Sequence, residues 1–329
     1  LVSAERMPIE QRIFRTESSL TSDISALGAL KSALSALQTS ADAVSNTATY
    51  SQRNATSSDA TKVSVSATDA AALGSYNVEV NSLATTHSVA IRNQFSSLTE
   101  TVGTGTLTFT FGTTGYTAHA NDDANDTYDS FVAKAGVASK AITIDGTNNT
   151  LAGLRDAINE ADIGVSAAIV NQGSAYRLLL SSDASGAENS IQISVTDSGD
   201  SNNTDGNGLS RLAFNASAGT ANAYQTTAGA DAAFKINGLS LSSTTNTVTS
   251  AVDGLTITLL ATTTAPVTTS VADNAAGIKT AINGFVEGYN DFVDKVDALT
   301  AFDATAGVKG PLLGDFTTRT ITSQLRTTL

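Results

Sequence analysis

The sequence predicts an α+β protein: a helical bundle, here termed the leg, built from both chain ends, with two β-rich head domains inserted between them. Three observations carry this. Apolar residues recur at steps of three and four over residues 9–45 and again from residue 271. Between those stretches apolar and polar residues alternate, the mark of half-buried strands. Only one helical pattern, "TLAGLRDAINEAD", interrupts the strands. Helices from the two ends can bury each other's stripes, while the β units need only their own cores. The expected boundaries are 1–72 with 271–329 for the leg, 73–102 with 225–270 for the first head domain, and 103–224 for a second, α+β head domain.

In the first helix, "SALGALKSALSALQTS" (25–40) sets leucines among Ala, Ser and Gly. Ile24, Leu27, Leu30, Leu34 and Leu37, then Ala41 and Val44, trace a stripe like the a and d positions of a coiled coil. Pro8 suits a first helical turn. Small residues beside the stripe let two helix backbones approach closely. The seam is expected to pack within the chain or between copies.

After residue 60 the period becomes two. "KVSVSAT", "SYNVEVNSLATTHSVAI", "GTLTFTFG", "KAITID", "VSAAIVNQ", "YRLLLSS", "SIQISVT", "AFKINGLSLSS" and "GLTITLL" read as strands, with Gly, Asn, Asp and Ser between them. Thr150 is the expected N-cap of the inserted helix, Leu151, Leu154 and Ile158 its buried face, and Gly164 its stop. The stretch "DSGDSNNTDGNGLS" (197–210) reads as an exposed loop. From 271, Ile278, Ile282, Phe285, Tyr289, Phe292, Val296 and Leu299 restore the helical period.

Composition narrows the function. The net charge of the 329 residues is -13, so a nucleic acid or an anionic membrane is repelled. No segment approaches the ~20 apolar residues of a membrane span, and "LVSAERMPIEQRIFR" is too charged for a signal peptide. Without cysteine there is neither disulfide nor thiolate metal site. Residue 1 is Leu, the first Met is Met7 and the chain stops inside an amphipathic pattern; it reads as part of a longer protein.

Catalytic groups are scarce. His87 sits in a strand pattern and His119 in a loop, and without Cys or a second nearby His no transition-metal site is visible. "NDDANDTYD" (121–129) and "TDGNG" (204–208) lack the spacing of a calcium loop. "GTGTLTFTFG" (103–112) runs into a strand, not the helix a phosphate cradle needs. No enzyme, cofactor or metal is expected.

Several strings resemble the flagellar filament-capping family (FliD, hook-associated protein 2). They are "SAERMPIEQ…DISALGALKSALSALQTSADAV", "RNATSSDATKVSVSATDAAALGSYNVEVNSLATTHSVA", "TLAGLRDAINEADIGVSAAIVNQGSAYRLLLSS", "FKINGLSLSSTTNTVTSAVDGLTITLL", "INGFVEGYNDFV" and "GPLLGDFTTRTITSQLR". The third is similar to the motif inserted in flagellins as well as caps. The resemblance implies an assembly protein at the extracellular flagellum tip. It would be a ring of several copies that promotes folding and insertion of exported flagellin and prevents its loss. The implied partners are other copies, flagellin, hook-associated proteins at the filament end and an export chaperone. Passage unfolded through the flagellar channel accords with the missing disulfides and signal. Tyr50, Arg53, Leu312, Leu313 and Asp315 are the expected flagellin contacts. Two other readings stand beside it. One is a flagellin or hook–filament junction protein. The other is an adhesin binding mucin or glycan through Tyr116, Tyr128 and Tyr224.

Overall fold

A computed structural model describes residues 2–117, 126–216, 220–305 and 307–328. Helix α1 (Val2–Ser45) passes through Pro8, which removes one backbone hydrogen bond near the helix start. It therefore begins earlier than the periodicity from residue 9 implied. A one-turn helix, α2 (Thr47–Ser51), follows, capped by the Asn46 side chain. Of residues 53–72, expected in the leg, 53–57 and 63–67 form strands β1 (Arg53–Ser57) and β2 (Val63–Ala67), and those from 55 onward belong to the strand unit. Their period of two outweighs their nearness to the helix.

The strands continue as β3 (Gly74–Ser82), β4 (Thr86–Ile91), β5 (Gly105–Thr117), β6 (Thr127–Ala133) and β7 (Lys140–Ile144). After helix α3 (Leu151–Glu160) come β8 (Val165–Asn171), β9 (Tyr176–Ser185), β10 (Ser190–Asp197), β11 (Phe214–Asn215), β12 (Thr220–Ala221) and β13 (Ala223–Thr227). The last are β14 (Ala232–Ile236), β15 (Leu239–Ser243), β16 (Thr247–Val252), β17 (Leu255–Leu259) and β18 (Val267–Asp273). Helix α4 (Ala275–Thr300), a two-residue pairing of β19 (Phe302–Asp303) with β20 (Val308–Lys309), and helix α5 (Phe316–Thr328) complete the chain.

The chain divides into a unit of residues 1–54 with 272–329 and a unit of residues 55–271. The second contains two separate cores. One is built on β1-β18-β3-β14-β15 and on β16-β17-β2; Val63, Val78, Val80, Phe234 and Ile257 fill it. The other lies between the sheet β12-β11-β10-β5-β6, to which β7 adds beside β5, and the sheet β13-β4-β9-β8. Phe95, Leu107, Phe109, Leu178 and Phe214 fill this one, together with Leu151, Leu154 and Ile158 of α3. Thr150 caps α3, its hydroxyl accepting from the Gly153 N–H at 3.1 Å.

Val89, Ile91 and Ala223 belong to the second core. The changeover between cores therefore falls at the bridge between Thr85 and Ala230, not at 102 and 225. No turn signal marks it, because "SLATTHSVAI" (82–91) passes from β3 to β4 without a Gly or Pro. The stretch 197–210 also differs from a featureless loop. Asp197 is buried, and its carboxylate accepts from the N–H groups of Gly199 at 2.7 Å, Leu209 at 2.6 Å and Ser210 at 3.0 Å.

Candidate functional site

The helical unit carries most of the expected functional residues. Leu30 and Leu37 of α1 are each 3% exposed and pack with Ala26 against Phe292 and Val296 of α4 and against Leu312. Ala33, Leu34, Phe285, Tyr289, Leu299, Ile321 and Leu325 surround them, half-buried. Gly288 of α4 faces Ser40 so closely that a Cβ there would lie 2.7 Å from its hydroxyl. This is the backbone approach that the small residues beside the leucines permit.

The seam is not the full one expected. Ile24, at 65%, and Leu27, at 43%, are exposed on α1, as is Ile282 on α4; Ile278 is half-buried. The helix carries two leucine stripes three residues apart, 27/34 and 30/37. The second faces α4, and the first is left outward except at Leu34. Residues 6–22 are exposed throughout, presenting Met7, Ile9, Ile13, Phe14 and Leu20. Further down, Leu34, Leu37, Ala41, Phe285 and Leu325 line an apolar groove of about 390 Å³.

The five expected contact residues divide. Leu312 is 4% exposed and belongs to the core of this unit, which corrects its assignment as a contact. Asp315 caps α5: its Oδ1 accepts from the Thr318 N–H at 2.7 Å and hydroxyl at 2.8 Å, which holds its carboxyl below the usual range. Arg53 pairs with Asp273. Tyr50 is exposed, its hydroxyl donating to the Val44 carbonyl at 2.8 Å. Leu313 is exposed. Asn274 caps α4, accepting from the Gly277 N–H at 3.0 Å, and donates through its amide to Gln52 at 3.1 Å.

In the strand unit, His87 is fully buried. Its Nδ1 accepts from the Ile191 N–H at 3.0 Å, so Nε2 carries the proton and donates to Gln225 at 3.1 Å. Burial pushes its pKa down to about 4, and the ring is a structural tie between sheets, with neither nitrogen free to accept a proton from a substrate. His119 and residues 121–125 lie outside the described residues. Two of the three tyrosines expected to meet glycan are turned to other use. Tyr128 is buried and stacks on Phe214 with centroids 4.1 Å apart. Tyr116, half-buried, donates to Asp126 at 2.8 Å and accepts from the Gln225 N–H at 3.1 Å. Tyr224 lies under the guanidinium groups of Arg92 and Arg177. No group of three or more metal-ligating side chains occurs among the described residues, and none of their helices is long and apolar enough to cross a membrane.

The profile of the flagellar hook-associated protein 2 N-terminus matches residues 1–87, and that of the flagellar hook-associated protein 2 C-terminus matches residues 229–329. The B-type flagellar hook-associated protein 2 of Pseudomonas aeruginosa PAO1 is 34% identical over 278 residues, 80% of this chain and 53% of that protein. The A-type protein of Pseudomonas aeruginosa is 32% identical over 340 residues, 99% of this chain and 66% of that protein. The chain thus spans about half to two thirds of the length of these curated relatives. Among solved structures, the D1-D2-D3 domains of the flagellar cap protein FliD from Escherichia coli superpose with a TM-score of 0.71 at 29% identity, covering 92% of this chain and 75% of that one. FliD (HAP2) from Pseudomonas aeruginosa PAO1 gives 0.54 at 30% identity, covering 74% of this chain and 98% of that one. The agreement of both terminal profiles, the sequence relatives and the shared α+β architecture has one meaning: this chain belongs to the flagellar hook-associated protein 2 family.

Proposed function

We propose that the protein caps the distal end of a bacterial flagellar filament. Several copies form a ring there, beneath which exported flagellin folds and joins the filament. The observation that carries this reading is the form of the helical unit. A short internal seam, Leu30 and Leu37 on Phe292 and Val296, holds the two chain ends together. Alongside it α1 presents a second apolar stripe, from Ile9 to Leu27, to the outside.

A cap must grip the filament end and yet shift as each subunit enters. Contacts that are many, small and separately weak suit that better than one large apolar interface. The stripe's isolated Ile and Leu residues, spaced by Ser, Thr and charged groups, are contacts of that kind. Self-association, flagellin, the neighbouring hook-associated proteins and an export chaperone are the partners of this reading. Export as an unfolded chain suits a sequence without cysteine.

Deletion of the gene in its host tests it. Cells are expected to lose their filaments and shed monomeric flagellin into the medium, and the full-length gene restores filament growth. Filaments of normal length and number in the deletion strain would refute the proposal.

A further inference from the structure

The sheet β13-β4-β9-β8 has an outer face that the sequence does not mark as special. Strand register aligns Tyr224, Ala90, Leu179 and Ala168 in one row across it. Arg177 and Val170 pair in the next outward row, and Arg92 follows two residues after Ala90, on the same side. Arg92 and Arg177 lie 5.7 Å and 5.5 Å from the Tyr224 ring centroid, and Arg177 Nη1 donates to the Tyr224 hydroxyl at 3.2 Å. Tyrosine and arginine, held rigid on strands beside apolar Val170 and Ala168, are the residue types that anchor protein interfaces.

The charge pattern says what fits. Lys62, Arg155, Arg211 and Lys235 of this unit each hold a carboxylate. Arg177 holds none among the described residues; its Nη1 donates to the Tyr224 hydroxyl instead. On a chain of net charge -13, an arginine lacking a carboxylate is placed for one from elsewhere. The same unit exposes such groups on another side. Glu160 and Asp162 are exposed at the end of α3, whose apolar side joins the core with Val165 and Ala167 of the inner sheet face.

We propose that this arginine–tyrosine face is where one copy of the chain docks on the next, taking carboxylates from the neighbour's acidic side. The inference rests on the cap reading, in which copies assemble. Donor and acceptor surfaces differ, so the contact is head-to-tail, the arrangement that closes into rings.

These 329 residues hold no cysteine. The full-length protein with Val170→Cys, any cysteine outside these residues replaced by Ser, carries a benzophenone on that thiol and is irradiated at concentrations where electron microscopy shows rings. Cross-links to the α3 region of a second chain are expected. Rings lost on labelling, when unlabelled Val170→Cys forms them, also put the face in contact. Arg177→Glu is expected to weaken association about tenfold or more in sedimentation, with an unchanged thermal melt. Rings that yield only intrachain cross-links, or a folded Arg177→Glu that assembles like wild type, overturn this interface and leave the cap reading standing. A full-length wild type that never assembles overturns both.

Discussion

Gly288 on α4 sits directly against Ser40 on α1: a Cβ added to Gly288 would lie 2.7 Å from the Ser40 hydroxyl and 3.7 Å from the Leu37 Cα. The hydroxyl is itself engaged, donating to the Leu37 carbonyl at 2.8 Å. Glycine inside a helix costs roughly 0.5–1 kcal/mol relative to alanine, so its presence here reflects the close approach. Gly288→Ala is therefore expected to destabilise by about 1 kcal/mol despite its better helix propensity. Adding Ser40→Ala removes the obstructing oxygen and is expected to restore stability to wild type or above, a coupling typical of touching residues. Urea denaturation of the two single variants and the double variant measures the cycle. Additive effects would disprove the contact.

The two leucine stripes of α1 give a second test. Leu30 is 3% exposed within the seam and Leu27 is 43% exposed beside it. Leu30→Ala is expected to cost about 2–4 kcal/mol, since it leaves a cavity against Phe292 and Val296. Leu27→Ala is expected to change stability by under ~0.5 kcal/mol. If Leu27 serves assembly, its loss appears instead in ring formation and filament growth. A stability loss of equal size in both variants would contradict the assignment of the seam.

These stripes also show how far the sequence is legible. Period 3.6 against period 2 separates helices from strands along nearly the whole chain, because burial on one face leaves that pattern directly. Which stripe of a helix packs inward is not written in the helix itself. Leu27/Leu34 and Leu30/Leu37 are equivalent in type and spacing, and the choice is made by Phe292 and Val296, some 260 residues away in sequence. Leu312 was hidden similarly: "GPLLGD" reads as a tight loop, and only the fold shows the first leucine turned inward and the second outward. The arginine–tyrosine face was unreadable because Arg92, Arg177 and Tyr224 come from three segments far apart in sequence, brought together by register alone.

His87 sets a pH dependence. Its folded pKa, about 4, lies below the ordinary histidine value of 6.5, because burial penalises the charged ring and Ile191 already donates to Nδ1. The unfolded chain therefore binds this proton first as pH falls, and stability declines from about pH 6.5 down to about 4. The full effect is about 3 kcal/mol, since each tenfold change in proton affinity is worth ~1.4 kcal/mol. Asp59, Glu100, Asp145, Asp205 and Asp315, all held below their usual range, lose their contributions only in stronger acid. Thermal melts of wild type and His87→Gln between pH 7 and 4 isolate the histidine. Wild type is expected to fall more steeply across this window, and parallel curves would refute the assignment.

Asp197 organises the 197–210 stretch through backbone donors. Three N–H groups converge on its buried carboxylate, and Gly208, at φ 53°, leaves it room: a Cβ there would stand 2.4 Å from Oδ2. Asp197→Ala would leave those donors without their acceptor in a buried place, at ~1–3 kcal/mol for each group that water cannot reach. Asp197→Asn keeps the shape but turns one acceptor into a donor facing N–H groups, so it is expected to destabilise nearly as much. Gly208→Ala adds a clash and left-handed strain at the same point. Since its penalty arises from the carboxylate itself, it should shrink in the Asp197→Ala background. Amide hydrogen exchange at Leu209 and Ser210 reads the loop directly, with faster exchange expected in all three single variants. Protection unchanged in Asp197→Ala would mean that the loop is held by something other than this carboxylate.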